Sequence, residues 1–312
     1  MEQPTAPKPP GAAISARELS KRYGRRQAVS GLTFTVESGQ ICALLGPNGA
    51  GKTSTMRMLA GLSRPDSGSA RLLGEPSRLA AGVLARVGVA IDGPAFVPHL
   101  SGRRNLELSW RAGGRTWPPP ALEEGLQLAG LGEALGAKKV KSYSMGMRQR
   151  LMLAQALMGG PEALILDEPA NGLDPGEVRA LREHLRRLAG RGAAVLISSH
   201  VLAEIELLAT HVVVMNAGAV VTAGRLEDLL GTGAYEFEVD DVAHASRALR
   251  AVAGVRSVTA HGQRLSVLAP GYPVRELNQV LVSAGVGVGA VRAARSLEEA
   301  FLGLVEQDDA VR

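Results

Sequence analysis

The amino-acid sequence predicts an α/β fold, with a helical subdomain inserted in it and a small α+β domain at its C-terminal end. Three observations carry this expectation. The apolar runs "ICALLG", "ALILDEP" and "AAVLISSH" have the length and continuous hydrophobicity of strands buried on both faces, as in a parallel sheet. Between the last two, Val178, Leu181, Leu185 and Leu188 recur at helical spacing, making a strand, helix, strand unit. Beyond Gly231 the texture changes to shorter runs in a different order.

Taken from the N-terminus, "MEQPTAPKPPGAA" reads as a Pro-rich leader over residues 1–12, without the charged-then-apolar pattern of a signal peptide. "FTVESGQICALLG" follows as two strands around a Ser-Gly turn. From about Asp92 to Gly160, Pro and Gly punctuation ("GPAFVPHLSG", "RTWPPP") separates helical stretches such as "ALEEGLQLAGL", which marks the inserted helical subdomain. "VVVMNAGAVVTAG" has the pattern of a hairpin turning at Asn216 to Gly218. These pieces make one domain over 13–230. Residues 231–312 spell strand, helix, strand, strand, helix, strand, an order that fits a ferredoxin-like domain, and end in the amphipathic "SLEEAFLGLVEQ".

Composition agrees with two domains, since 312 residues stand against roughly 150 per domain. An apolar fraction of 46% and a charged fraction of 21% are ordinary for a globular chain. The formal charge of +5 suits a nucleotide, a nucleic acid or an anionic surface and selects none of them. Basic clusters such as "KRYGRR" read first as solvated surface. Cys42, the only cysteine, lies in an apolar run, so it reads as a small buried hydrophobe and no disulfide can form within the chain. No apolar run reaches the ~18 to 20 residues that cross a bilayer, so any membrane role is expected to come through a partner.

Chemistry concentrates in "GPNGAGKT", residues 46–53, which fits G-x-x-x-x-G-K-[ST] and joins a predicted strand to a predicted helix. Backbone N–H groups of such a loop converge on one centre, and the helix N-terminus favours an anion there. Gly46, Gly49 and Gly51 permit the turn, Lys52 reaches the β and γ phosphates, and Thr53 can ligate Mg²⁺. "ALILDEP" supplies the complementary half, with Asp167 near the metal and Glu168 near a water attacking the γ-phosphate. His200 ends the next apolar run, on the ligand-binding edge of such a sheet. It can bond the γ-phosphate or the attacking water, or cap the helix that "SSHVLAEIELL" begins.

In the order Tyr23, the loop at 46–53, "SYSMGM", "ALILDEP", "NGLD" at 171–174 and His200, the chain resembles the ATP-binding subunit of ABC transporters. The likeness covers about residues 13–230 and is greatest to the drug-export type, whose ATPase and membrane permease are separate chains. It implies an ABC ATPase core of the P-loop kind. It also implies ATP bound along Gly46, Pro47, Asn48, Gly49, Ala50, Gly51, Lys52, Thr53 and Ser54, with Tyr23 stacked on adenine. Ser144, Met145, Gly146 and Met147 match the signature L-S-G-G-Q motif, which in the family faces ATP held by the other subunit of a head-to-tail dimer. Asp174 matches the aspartate of the dimer-contact loop, Glu168 the catalytic base and His200 the switch histidine.

Two departures stand out. Met145 and Met147 replace the usual glycine and glutamine. Asp92 falls at or next to a position that normally carries glutamine, where an acid could bind Mg²⁺ directly or through water, or slow hydrolysis by putting negative charge near phosphate.

The resemblance implies an ATP- and Mg²⁺-dependent hydrolase at the cytoplasmic side of the membrane, docked on an integral membrane permease. It would work as a homodimer or paired with a related ATPase subunit, and would power export of drugs or other small hydrophobic molecules. "GPAFVPHLSG", with Phe96 and Pro98, is a candidate docking loop. Two alternatives stay open: a soluble ABC ATPase acting on the ribosome or nucleic acid, and an importer subunit. Nucleic acid is not the expected partner, since one loop and one signature occur without a second cassette.

Overall fold

The computed structural model of the protein describes residues 12–78, 82–130, 132, 134–230, 233–269, 272–293 and 296–311. The leader expected over residues 1–12 lies, apart from Ala12, outside them. The chain divides into two compact units after Ala223.

The first unit holds two sheets. One has the order Arg26–Glu37, Ala12–Tyr23, Ser67–Leu72, Glu75–Pro76 and is antiparallel throughout. The other runs Ala219–Arg225, His211–Asn216, Ile41–Leu45, Ala194–Ser198, Ala163–Leu166, Val87–Ala90. Within it the strands from His211–Asn216 to Val87–Ala90 pair in parallel. Every residue of Ile41–Leu45, Ala163–Leu166 and Ala194–Ser198 is buried, as the apolar runs predict. Ala219–Arg225 joins this sheet through a turn in which Ala217 and Gly218 both take positive φ, 44° and 85°.

The helix Lys52–Leu59 packs its Met56, Met58 and Leu59 into one core with Ile14, Leu19, Leu32, Leu44, Leu196 and Met215. That core locks the helix behind the phosphate loop to both sheets. The antiparallel sheet was not apparent as a unit in the sequence, because its first strand alternates imperfectly and shifts register at several points along Arg26–Glu37.

Between Val87–Ala90 and Ala163–Leu166 the chain forms the helical subdomain. Its helices Gly102–Ala112, Leu122–Ala129, Ala134–Ala137 and Met145–Leu157 bury Leu106, Trp110, Leu122, Ala129 and Leu151 together. Phe96 packs against this cluster, and Asn105 clamps the preceding loop by accepting from Val97 N (2.7 Å) and donating to Val97 O (3.1 Å). The candidate docking loop is thus pinned to its own subdomain.

The second unit has strands in the order Ser257–His261, Arg264–Leu268, Ala234–Val239, Val288–Ala293, all antiparallel. Helices Val242–Arg250 and Val274–Ser283 fold over Phe237, Leu265 and Val267. The helices Leu226–Leu230 and Leu297–Val311 pack on each other within the same unit. Among the described residues no helix is long and apolar enough to cross a membrane.

One close approach seats the helical subdomain on the sheet. A Cβ on Gly88 would run into the carbonyl oxygen of Ala156 near the end of Met145–Leu157, and into Leu164 Cδ2 at 2.6 Å. The Ala156 carbonyl cannot retreat without moving the helix main chain. Gly88→Ala is expected to destabilise the fold by about 1–3 kcal/mol, as overpacking of a filled interior does. Urea denaturation of the two proteins measures this.

Candidate functional site

The parallel strands end along one edge of the sheet, and each end delivers a polar group there. After Ile41–Leu45 the chain enters the glycine loop. A Cβ on Gly46 would lie 2.5 Å from Met215 O, so only glycine lets the loop pass the neighbouring strand. Gly49 and Gly51 take φ of 85° and 101°, a left-handed conformation that costs glycine little. A Cβ on Gly51 would also strike Ala28 O.

The helix Lys52–Leu59 then starts on Gly51 with no side-chain cap and no acidic residue in its first turn. Its N-terminal amides and dipole are directed to the loop without competition from a capping group. Asn48 and Gly49 are exposed, and Ala50 is buried, donating from its N–H to Pro47 O (3.1 Å). Lys52 folds back over this cradle, its Nζ donating to Gly46 O (2.5 Å) and Pro47 O (3.2 Å). Burial lowers the Lys52 pKa, and the nearby Glu168 and Asp167 charges oppose that shift.

Asp167 sits at the centre of the polar network. Its Oδ2 accepts from Thr53 Oγ1 (2.8 Å) and its Oδ1 from Ser198 Oγ (2.5 Å). The Ser198 hydroxyl in turn accepts from the Glu168 N–H (2.9 Å). Glu168 takes a φ of 48°, uncommon outside glycine, and holds it because its main chain is bonded on both sides. On the far side, Gln149 Nε2 donates to Glu168 O (3.3 Å) and Pro169 O (3.0 Å).

His200 Nδ1 stands 2.8 Å from Glu168 Oε2, and the His200 N–H donates to the same oxygen at 3.3 Å. The following helix, Leu202–Leu208, has Val201 at its N-cap and no side-chain cap. His200 thus lies on the Glu168 carboxylate and is not the cap of that helix.

Tyr23 lies at the rim, 45% exposed, opposite Arg26 in the hairpin that joins the first two strands. Its hydroxyl pKa is lowered, chiefly by a hydrogen bond with Ser63, with burial opposing and Ser54, Lys21 and Arg57 adding to the shift. Arg26 Nη2 donates to Gly49 O (3.3 Å), which fastens the hairpin to the glycine loop. Asp92, two residues past Val87–Ala90, has both carboxylate oxygens bonded to Arg57.

A second cluster gathers the remaining predicted residues. Ser144 is the N-cap of Met145–Leu157 and accepts from the Met147 N–H (3.2 Å). Gly146 lies so near the loop before Asp174 that a Cβ there would be 2.5 Å from Gly172 O. Met145 is exposed, whereas Met147 packs into the helical subdomain's core. Asp174 caps Pro175–Gly190 in a capping box with Glu177. Arg150 Nη1 pairs with Glu177 Oε1 at 3.0 Å, tying the two helices together.

A glycine loop running into a helix, bonded through its threonine to the aspartate of a neighbouring apolar strand, defines a P-loop nucleoside triphosphatase. The sequence model of the ABC transporter family matches residues 29–171. The bacitracin transport ATP-binding protein BcrA of Enterococcus faecalis is 33% identical over 297 residues, which cover 94% of this chain and 96% of that protein. The Nod factor export ATP-binding protein I of Paraburkholderia xenovorans (strain LB400) is 40% identical over 230 residues, 72% and 74% of the two chains.

Among solved structures, an ATP-binding subunit of an ABC transporter matches with a TM-score of 0.63 at 30% identity, covering 70% of this chain and 91% of its own. The fold is also that of the ATP-binding cassette MJ0796, solved as a dimer bound to ADP and Pi (TM-score 0.62, 20% identity, 68% and 98% covered). The chain belongs to the ATP-binding subunits of ABC transporters, and it is an ATPase.

Sequence reasoning passed over Ser198, Gln149, Arg150 and Arg57. Gln149 and Arg150 were within reach, since they follow the signature residues by one helical turn. Ser198 carried only the weak signal of a hydroxyl near a strand end. Ser198→Ala removes the shared partner of Asp167 and of the Glu168 main chain while keeping the strand. ATP turnover is expected to fall about 10–100-fold, the range for losing an outer-shell partner of a ligating carboxylate. Steady-state phosphate release, with circular dichroism as the fold control, checks it.

Proposed function

We propose that this chain is the ATP-binding and hydrolysing subunit of a membrane exporter for drugs or other small hydrophobic molecules, acting at the cytoplasmic side through an integral membrane permease. The single observation that carries this reading is the pairing of two half-sites on one chain. Lys52, Thr53, Asp167, Glu168 and His200 form one half at the sheet edge. The exposed Ser144 cap, braced against the loop that leads to Asp174, forms the other. A half-site with a helix N-terminus and a serine hydroxyl suits a phosphate held by a neighbouring subunit.

The geometry supports a division of roles. Lys52 and the loop amides bind the β and γ phosphates. Thr53 and Asp167 offer hard oxygen donors and one carboxylate, which fits Mg²⁺ when phosphate oxygens complete its shell. Such an ion would neutralise charge on the phosphates. Glu168 accepts the proton of the attacking water, and His200 holds that carboxylate in place. Tyr23 stacks on adenine from the rim. Two chains, identical or related, would close on two ATP molecules and reopen after hydrolysis, and the helical subdomain would pass that motion to the permease.

Export is supported by the relative whose name states it, for Nod factor, and transport more broadly by the relative named for bacitracin transport. A nucleic-acid role is less favoured because one phosphate loop and one signature segment occur without a second cassette. For residues 231–312 the proposal is a regulatory or dimer-supporting role.

Glu168→Gln is expected to bind MgATP, turn it over at least about 100-fold more slowly, and accumulate as a dimer. Lys52→Ala is expected to lose ATP affinity. Light scattering of the Glu168→Gln protein with and without MgATP is the test; a particle that stays monomeric in saturating MgATP would overturn the shared-site reading.

A further inference from the structure

Asp92 is the candidate residue that the proposed chemistry leaves without a task. It stands at or next to the position where the resemblance implies a neutral glutamine, and it leaves the same sheet edge as Asp167, whose N–H donates to Ala90 O (2.8 Å). A carboxylate there could ligate the metal, or could oppose the phosphates. The structure assigns it a different neighbour. Arg57 Nε lies 3.0 Å from Asp92 Oδ1 and 2.8 Å from Oδ2, and Arg57 Nη2 lies 2.7 Å from Oδ1, a forked guanidinium–carboxylate pair.

The register of this pair decides what it does. Thr53 and Arg57 are four residues apart in Lys52–Leu59, so they share a helix face one turn, about 5.4 Å, apart. Thr53 holds Asp167 and Arg57 holds Asp92. One helix face therefore grips the ends of two adjacent strands, Asp167 through Thr53 and Asp92 through Arg57. The backbone accommodates this by taking left-handed φ at Asp92 (66°) and Gly93 (81°), a conformation aspartate tolerates better than most residues. With both side chains about two-fifths exposed, at 42% and 41%, the pair adds little to stability. Its effect lies in where it holds the charge.

We infer that Arg57 is a positioning residue that retains and neutralises Asp92, so that this acid is neither a metal ligand nor a repulsive charge beside bound nucleotide. This rests on the nucleotide site proposed above and concerns only the acid that departs from the expected amide.

The test is a double-mutant cycle on the full chain: wild type, Arg57→Ala, Asp92→Asn and the double variant. MgATP affinity is measured by titration with a fluorescent ATP analogue at low and high salt, and urea stability is measured alongside. Arg57→Ala should weaken MgATP binding about three- to tenfold at low salt, as a freed like charge at this range does, and less at high salt. Asp92→Asn should leave the affinity and its Mg²⁺ dependence within about twofold of wild type. The double variant should return to that level, a rescue that loss of Arg57 packing could not produce.

Three results would overturn the inference while wild type still binds MgATP: unchanged affinity in Arg57→Ala, a double variant as weak as Arg57→Ala, or loss of Mg²⁺ dependence in Asp92→Asn, which would make Asp92 a ligand. Wild-type protein that failed to bind MgATP would instead remove the functional reading on which the inference stands. Arg57→Gln with its Asp92→Asn partner repeats the cycle if the alanine variant unfolds.

Discussion

The structure of the site depends on the two hydrogen bonds that occupy the Asp167 carboxylate. Thr53 belongs to the helix behind the glycine loop, Asp167 ends one buried strand and Ser198 ends the next, so a single side chain joins three elements that are far apart in sequence. Their relative height is set by parallel pairing of Ile41–Leu45 with Ala194–Ser198 and of Ala163–Leu166 with Ala194–Ser198. Because side chains alternate along a strand, a slip of one residue in either pairing would turn Ser198 or Asp167 away from the cluster. The apolar filling of the sheet thus acts on chemistry through register. The two hydroxyls each fill one acceptor site on the Asp167 carboxylate without adding charge beside the phosphates.

The bracing of Met145–Leu157 against the loop before Asp174 works on a second scale. The approach of Gly146 to Gly172, the Arg150–Glu177 pair and the bonds from Gln149 to Glu168 O and Pro169 O bind three motifs into one body. Glu177 serves twice, accepting from Arg150 through Oε1 and from Asp174 N through Oε2. A shift in the carbonyl following Asp167 is therefore felt at the signature helix through Gln149, with no intervening flexible segment. Such a path would carry a shift at Glu168 to the exposed N-terminal end of Met145–Leu157.

How far the sequence could be read follows from how local each feature is. The glycine loop was legible because its geometry is written in consecutive residues, Gly46 to Thr53, and the buried strands because a parallel sheet demands unbroken apolar runs. The helix Pro175–Gly190 announced itself through the spacing of Leu181, Leu185 and Leu188 and through Asp174 with Glu177 three residues on. His200 was noticed at its strand end, but its contact with Glu168 was not, and whether it caps the next helix depends on where that helix starts, which composition does not determine. Arg57 and Asp92 could not be matched at all, since 35 positions separate them and each alone is an ordinary exposed charge. Asp167's partner Ser198 was hidden for the same reason. The antiparallel sheet was obscured by its bulges, which break the alternation that a strand shows to a reader of residues.

The methionines of the signature segment bring these arguments together. From the residues alone, two bulky side chains stand where glycine and glutamine are usual, which could alter how closely the helix approaches phosphate. In the fold they separate, because residues 145 and 147 are two apart on a helix and point roughly 200° apart around its axis. Met147 turns inward and becomes part of the subdomain core, leaving its backbone N–H on the Ser144 hydroxyl. Met145 turns outward and is 64% exposed. The approach of a ligand to this helix end is then set by Ser144, the main chain at Gly146 and one mobile thioether, whose three rotatable bonds let it lie along the surface. Gly146 cannot be traded for a larger residue, because its Cβ position is filled by Gly172 O. The motif has thus kept the glycine that its own loop requires and varied the positions that the core and the solvent can absorb.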